Sequence, residues 1–352
     1  MYRLVQRRGI IGLFCLLFVA SSVVPGWAQK DNRFEVSKNL DIFNSLLKEV
    51  EMFYVDSVDV DKTVQRGIEA MLAGLDPYTE YYPEQKTEEL SLMTTGEYGG
   101  IGSLIRQRNN EGGVMIAEPT EGMPADLAGL KPGDLILAID TIDVSKATNS
   151  RVSELLKGVP NTKMVLTIQR PGEKKPRKFE ITRKQITTPQ VTYYGVKNDS
   201  IGYIYLKAFT IKSAQEVKEA FLDLKKNHNI KSLVLDLRGN GGGVLEGAVQ
   251  IVGMFVPKGS EVLSTKGKIK QWDRTYRTST EPLDTVMPLA ILINGGTASA
   301  AEIVSGSLQD MDRAVLVGQR SFGKGLVQAP RDLPYNGKVK ITMSKYYIPS
   351  GR

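Results

Sequence analysis

A chain of 352 residues, 41% apolar and 24% charged, has room for two domains and the ordinary composition of a globular protein. Its formal charge of +7 is spread along the chain with no aromatic-rich basic motif, which argues against nucleic-acid binding. One histidine, His228, and one cysteine, Cys15, are too few for a metal-ligand cluster, so neither a metal nor an organic cofactor is expected.

In chain order, Arg3, Arg7 and Arg8 precede the apolar run Gly9 to Ala20, and small residues flank Trp27 in Gly26-Trp27-Ala28. This reads as a secretory signal peptide over residues 1–28, cleaved after Ala28. An uncleaved anchor, which would leave the protein membrane-associated, and a lipoprotein attached through Cys15 are the weaker readings. The apolar stretch is shorter than the roughly 20 residues of a spanning helix, and bulky Phe14 precedes the cysteine. Cleavage would remove three of the 46 basic residues against 39 acidic ones, lowering the net charge from +7 to +4. It would also leave no cysteine, hence no disulfide in an exported protein.

Residues 29–96 are expected to form an N-terminal helical segment. Leu40, Phe43, Leu46, Leu47, Val50 and Phe53 recur at three- and four-residue steps. A second helix, Val64 to Leu72, stops at Gly74. Leu75 to Tyr81 reads as a turn, and the whole segment reads as packing or assembly structure without chemistry of its own.

From about residue 97 to 186 the texture changes to short strands. Gly99 to Ile105 is a glycine turn entering an alternating strand; Val114–Ile116, Leu135–Ile139 and Met164–Ile168 are further strands. Met123 to Leu130 is a short helix followed by the turn Lys131-Pro132-Gly133-Asp134, and a second helix runs from about Ser150 to Lys157. The basic run Lys174 to Lys178 reads as a solvated hairpin turn. The pattern Pro-Ala-x-x-Ala-Gly-Leu-x-x-Gly-Asp-x-Ile-Leu-x-Ile resembles a PDZ domain. The glycine turn would then form a nest for a terminal carboxylate, and a peptide would add to the strand from Ser103 beside the helix carrying Val152 and Leu155. Gly100, Ile101, Gly102, Ser103, Leu104, Val152 and Leu155 are the candidate peptide-binding residues.

Residues 187–352 alternate strand and helix: Ile201–Leu206, a helix from Ala214, Ser232–Leu237, a helix from Val244, Leu289–Ile293, and a helix near Ala298. This predicts an α/β layer with crossover connections. Two strand-to-helix turns are glycine-rich, Arg238 to Gly243 and Asn294 to Ala300. Ser299 would start a helix, where an oxyanion meets the N–H of Ala300 and one from Gly242 or Gly243. Taken alone, Ser299 reads better as a capping serine than as a nucleophile. Gly318 to Lys324 opens like a phosphate loop, but Gly325 stands where magnesium needs Ser or Thr and a strand follows, so nucleotide binding is rejected. With one histidine available, lysine is the remaining base for a serine nucleophile. Lys324 lies between two glycines, and Gln328, four residues on, is expected on the same strand face, its carbonyl accepting from the amine.

Taken together, Gly-Gly-x-Ala-Ser-Ala-x-Glu around Ser299, Gly-Lys-Gly at Lys324, Val-Gln at Gln328 and the run Leu235 to Gly243 resemble the carboxyl-terminal processing (tail-specific) peptidases. Leu75-Asp76-Pro77 and the PDZ segment match in the same order. The resemblance implies an α/β Ser–Lys peptidase domain with an inserted PDZ domain. It assigns Ser299 as nucleophile, Lys324 as general base and Gln328 as the group that orients it, with Ala300 and Gly242 as oxyanion donors. It also implies hydrolysis of proteins with free carboxyl termini through an acyl-enzyme, in the periplasm of a Gram-negative cell. The N-terminal helices would suit a homodimer, and a periplasmic adaptor is compatible with the family. The main rival is a non-catalytic PDZ adaptor or chaperone on a degenerate peptidase scaffold. Lys157-Gly158 stands where the family's PDZ helix commonly ends in Arg-Gly. Relatives continue past the match to Pro349-Ser350-Gly351-Arg352, so the catalytic domain is expected to lack its last elements here.

Overall fold

The computed structural model describes residues 32–108 and 112–352. The expected signal segment, with Cys15, lies outside these residues. The chain forms two compact units, residues 1–68 and 69–352. In the first, α1 (Arg33–Phe53) follows the predicted helical periodicity yet buries none of its residues. Leu40, Phe43 and Leu46 are all exposed. A second helix, α2 (Val60–Ala73), begins four residues before the expected Val64.

The second unit continues with β1 (Glu80–Tyr82), α3 (Thr87–Thr95) and β2 (Glu97–Gly100). The PDZ segment comprises β3 (Ser103–Gln107), β4 (Val114–Pro119), α4 (Pro124–Leu127), β5 (Leu135–Ile139), β6 (Ile142–Asp143), α5 (Asn149–Leu156), β7 (Lys163–Gln169) and β8 (Arg177–Thr182). Strand β9 (Lys184–Thr187) then pairs antiparallel with β2, so the chain enters and leaves the PDZ segment through one two-stranded ribbon. The expected Lys174–Lys178 turn lies in the β7–β8 hairpin. The PDZ core is closed by Val114, Ile116, Ile136, Leu166 and Ile168, alternate residues of their strands, all fully buried.

The motif Lys131-Pro132-Gly133-Asp134 has an electrostatic reason. The Asp134 carboxylate is fully enclosed, accepts from the Lys131 N–H, and meets Arg170 through two 2.8 Å hydrogen bonds. Arg170 also donates to the Gly129 carbonyl, so one guanidinium ties the α4 turn to β7.

The remaining elements are β10 (Val191–Lys197), β11 (Ile201–Leu206), α6 (Ser213–His228), β12 (Ser232–Asp236), α7 (Leu245–Gly253), β13 (Glu261–Gly267), β14 (Arg274–Arg277), β15 (Leu289–Ile293), α8 (Ala300–Asp310), β16 (Val315–Gly318), β17 (Leu326–Asp332) and β18 (Lys338–Tyr347). One five-stranded sheet has the order β10-β11-β12-β15-β16, parallel except for β10. Ile204, Leu206, Leu233, Leu235 and Ile291 project from it into one core with Val217, Phe221, Ile251 and Val304 of the crossover helices. Full burial of a side chain such as Phe221 is worth roughly 1.5–3 kcal/mol. Because β12 and β15 are parallel neighbours, the glycine-rich turns at their carboxyl ends come together.

A second sheet, antiparallel, was not expected from the sequence. β18 pairs with β17 along one side and with β1 and β13 along the other, and β14 extends it from β13. The stretch read as a turn at Leu75–Tyr81 therefore runs on into a strand of this sheet. Among the described residues no helix is long and apolar enough to cross a membrane.

Arg170→Leu will strand the enclosed Asp134 charge and destabilise the PDZ fold by about 3 kcal/mol or more. Denaturant unfolding followed by a PDZ-specific probe measures this, and a loss below about 1 kcal/mol would mean the pair is not holding the turn.

Candidate active site

Ser299 sits at the last position before α8 with φ +55° and ψ −117°, a left-handed conformation rare for a residue with a side chain. Such a backbone costs on the order of 1–3 kcal/mol and persists only where its surroundings hold it. Here two asparagines do so. Asn294 accepts from the N–H groups of Gly239 and Gly296. The enclosed Asn240 donates to Leu206 O, accepts from Gly242 N, and its carbonyl accepts from Ala298 N. Thr297, also enclosed, donates to Leu237 O. The two glycine-rich turns are thus stitched into one piece. Gly242 passes so close to the serine that a Cβ there would lie 2.7 Å from Ser299 Cβ.

Lys324 reaches the same place on a loop preceding β17. Glu302, on the first turn of α8, accepts from Ser299 N (2.8 Å), Lys324 N (3.1 Å), Gly323 N (2.6 Å) and Ser321 Oγ (2.8 Å). Phe322 N donates to Thr297 O, so the lysine loop is docked on the Ser299 turn at both ends of its approach. Tyr346 on β18 lies 3.4 Å from the Glu302 carboxylate and 3.5 Å from Ser299 O. Burial, and then the Glu302 charge, push its phenol above the ordinary range.

Ser299, Ala300, Gly242, Lys324 and Gln328 line one cavity of about 620 Å³. The Lys324 ammonium lies 4.8 Å from the centre of the Tyr78 ring, a cation–π distance. Its pKa is lowered by burial first and by the charge of Lys340 second, while Glu80, Glu302 and Asp76 pull the other way. Tyr78 is carried there by a turn folded on Asp76, whose carboxylate accepts from Tyr78 N, Thr79 N and Thr79 Oγ1. Tyr78 and Glu80 carry no signal of their own in the sequence: Leu75-Asp76-Pro77 matches the family pattern, but nothing in it points to a lysine 246 positions beyond Tyr78.

Three expectations need correction. Gln328 does not share a strand face with Lys324, because the strand begins only at Leu326 and Lys324 lies on the loop before it; both residues nevertheless line one cavity. Its amide nitrogen donates to Thr342 Oγ1 at 3.2 Å, and among the described hydrogen bonds none joins it to Lys324. The N–H of Gly242 is not free but donates to Asn240 Oδ1 at 2.9 Å. No acceptor for the N–H groups of Ala300 and Gly243 is found among the described residues. Third, Val152 is fully enclosed in the PDZ core and offers a ligand no surface; Ile101 is likewise enclosed. The other expected peptide-binding residues are better placed. β3 is an edge strand of the PDZ sheet, packed beside α5. Leu104 is exposed, Leu155 half-buried, and Gly102 takes φ +65° before Ser103. Gly100 is paired to Lys184 in the ribbon.

Residues 200–352 match the model of peptidase family S41, and residues 115–170 match a PDZ domain. A carboxy-terminal-processing protease of Bartonella bacilliformis is 36% identical over 339 residues, which cover 96% of this chain and 76% of that protein. This chain belongs to the carboxy-terminal-processing serine peptidases of family S41. A CtpA-like serine protease of Staphylococcus aureus is 33% identical over 89% of the chain, which spans 62% of that protein's length. The solved structure of an S41 protease from Bacteroides fragilis superposes over 81% of this chain and 79% of that one, at 16% identity and a TM-score of 0.50. That likeness concerns the fold alone.

Glu302→Gln sets an NH2 group against a ring of donors and leaves N–H groups of the two loops without an acceptor, at about 1–3 kcal/mol each. Peptide hydrolysis should show kcat reduced at least tenfold with KM little changed; wild-type kcat in a folded Glu302→Gln protein would remove the carboxylate from the site's architecture.

Proposed function

We propose that the protein is an exported endopeptidase that holds carboxyl-terminal tails on its PDZ segment and cuts peptide bonds by a Ser–Lys mechanism. The observation that carries the reading is the docking of the Lys324 loop on the Ser299 turn through Glu302, inside one cavity. A neutral Lys324 amine takes the proton of the Ser299 hydroxyl as its oxygen bonds to the scissile carbonyl carbon. The carbonyl oxygen becomes an oxyanion facing the N–H of Ala300 and one from the Gly242–Gly243 turn. For Gly242 to serve, its hydrogen bond to Asn240 must open; Gly243 needs no such release. The lysinium then returns the proton to the leaving amine as the C–N bond breaks, giving an acyl-enzyme. In the second half Lys324 takes a proton from the attacking water, and the Ser299 oxygen leaves the acyl carbon and recovers that proton, freeing the new carboxyl terminus. Gln328, with its nitrogen committed to Thr342, keeps its carbonyl oxygen for the lysine.

The lowered pKa of Lys324 supports this role. A base works deprotonated, so kcat/KM should rise with pH through the Lys324 pKa, with a midpoint below the ordinary lysine value of about 10.4. A flat profile, or a midpoint at the ordinary value, would contradict the assignment. Substrate selection by the free edge of β3 and the turn at Gly102 supports a preference for tails with a free carboxylate. The apolar face of α1, exposed along its length, suits a homodimer. Export rests on residues 1–28 of the sequence.

Ser299→Ala should abolish hydrolysis and leave peptide binding unchanged, since β3 and α5 lie outside the cavity. Lys324→Arg should be as inactive as Lys324→Ala, because a guanidinium does not give up its proton. Amidating a substrate's terminus should lower binding roughly ten- to a hundredfold. Hydrolysis and binding of one unstructured polypeptide, free and amidated, read all three. Residual turnover by Ser299→Ala would name another nucleophile, and equal handling of both termini would remove tail recognition.

A further inference from the structure

We propose that Lys340 is a positioning residue for the Ser299–Lys324 pair: a second lysine on the wall of the same cavity, pinned as an ammonium by Glu80 and Tyr82, that keeps positive charge off Lys324. This rests on the reading of Lys324 as the base.

The geometry is specific. Lys340 on β18 stands opposite Glu80 on β1 in the strand register. Its Nζ donates to Glu80 Oε2 at 2.6 Å and to Tyr82 Oη at 3.2 Å, and Tyr82 Oη donates to the same carboxylate at 2.8 Å. The ammonium also lies 5.6 Å from the Tyr82 ring centre. Both lysines line the cavity that holds Ser299. Burial works against a charge on Lys340, but its hydrogen bonds to Glu80 and Tyr82 outweigh it and raise its pKa, whereas that of Lys324 is lowered. Two lysines in one cavity are thus shifted in opposite directions.

The groups around Lys324 explain why a second cation is needed. The turn before β1 brings Asp76 and Tyr78, β1 brings Glu80, α8 brings Glu302, and β18 brings Lys340 and Tyr346. Three carboxylates would favour lysinium, but each is already engaged. Asp76 is folded onto Tyr78 and Thr79, and Glu302 onto the backbone of the two loops. Glu80 is the one paired with a cation, the Lys340 ammonium on β18. Without the Lys340 ammonium, the Glu80 charge is released beside Lys324 and the like-charge repulsion vanishes. Both changes favour protonated Lys324. Glu80 is half exposed, so solvent weakens its part, and the repulsion from Lys340, buried to all but 22%, is the larger share.

The test is the pH dependence of kcat/KM for an unstructured peptide, measured on the full chain. Lys340→Met keeps the apolar stem and should move the acidic limb up by about one pH unit, a tenfold loss at pH below the limb, with activity regained at high pH. Lys340→Arg should keep the limb where the wild type has it. Adding Glu80→Gln to Lys340→Met should move the limb part of the way back. An unchanged limb in Lys340→Met, or an equal loss at every pH, would overturn the proposal and leave Lys324 as base. Should Lys340→Met fail to fold, the Arg variant decides: a limb displaced as far as one pH unit despite a retained charge overturns the proposal. If the wild type has no acidic limb, or Lys324→Ala is active, the reading of Lys324 itself falls.

Discussion

Glu302 accepts hydrogen bonds from the backbone of Ser299, Gly323 and Lys324 and from the Ser321 hydroxyl. A carboxylate with this many donors has its lone pairs spent on holding loops, and its position fixes two chain segments to each other. One segment is the strained turn that ends in Ser299. The other is a loop that carries Lys324 between two glycines and packs Phe322 and Lys324 against the Tyr78 ring. The first costs free energy at φ +55°, and the second takes its place from these contacts and from Glu302. Placing the acceptor on the first turn of α8, three residues after Ser299, means that the helix that Ser299 caps also carries the anchor for the Lys324 loop.

The rest of the catalytic unit can be understood as support for that anchor. The parallel pairing of β12 with β15 brings two glycine-rich turns together, and Asn240 and Asn294 bond across them. Beyond the parallel sheet, β18 delivers Tyr346 to the Glu302 carboxylate and Lys340 to the far wall of the cavity. The β1 turn supplies the aromatic face under Lys324. A lysine in such a site is desolvated, faces a ring instead of a carboxylate, and has a cation for a neighbour. Each of these favours the neutral amine or, for the ring, tolerates the cation without the strength of an ion pair.

Much of this was legible in the sequence. The alternating buried strands and amphipathic helices from Ile201 onward give the crossover layer, and Gly133-Asp134 within its PDZ pattern marks a turn now seen to be closed by Arg170. Local periodicity carries such information because the partners of each residue lie within a few positions. It does not carry the second sheet. Glu80 and Lys340, hydrogen-bonded side chain to side chain, are 260 residues apart, and a three-residue strand has no periodicity to read. The Leu75–Tyr81 segment was therefore taken for a turn without chemistry. Strand alternation does not relate Lys324 to Gln328 for a different reason: Lys324 lies on the loop before Leu326, off the strand, and the two residues meet as lining of one cavity. The occupancy of Gly242 N–H by Asn240 and the enclosure of Val152 depend on packing that no spacing reveals.

The most direct measurement is to quench a hydrolysis reaction in acid during turnover and map the acylated residue by mass spectrometry. An acyl mass on Ser299 in the wild type, absent from Lys324→Ala, is the expected result. Turnover with no acyl group on Ser299, or an acyl group on another side chain, would contradict the assignment of nucleophile and base on which the site rests.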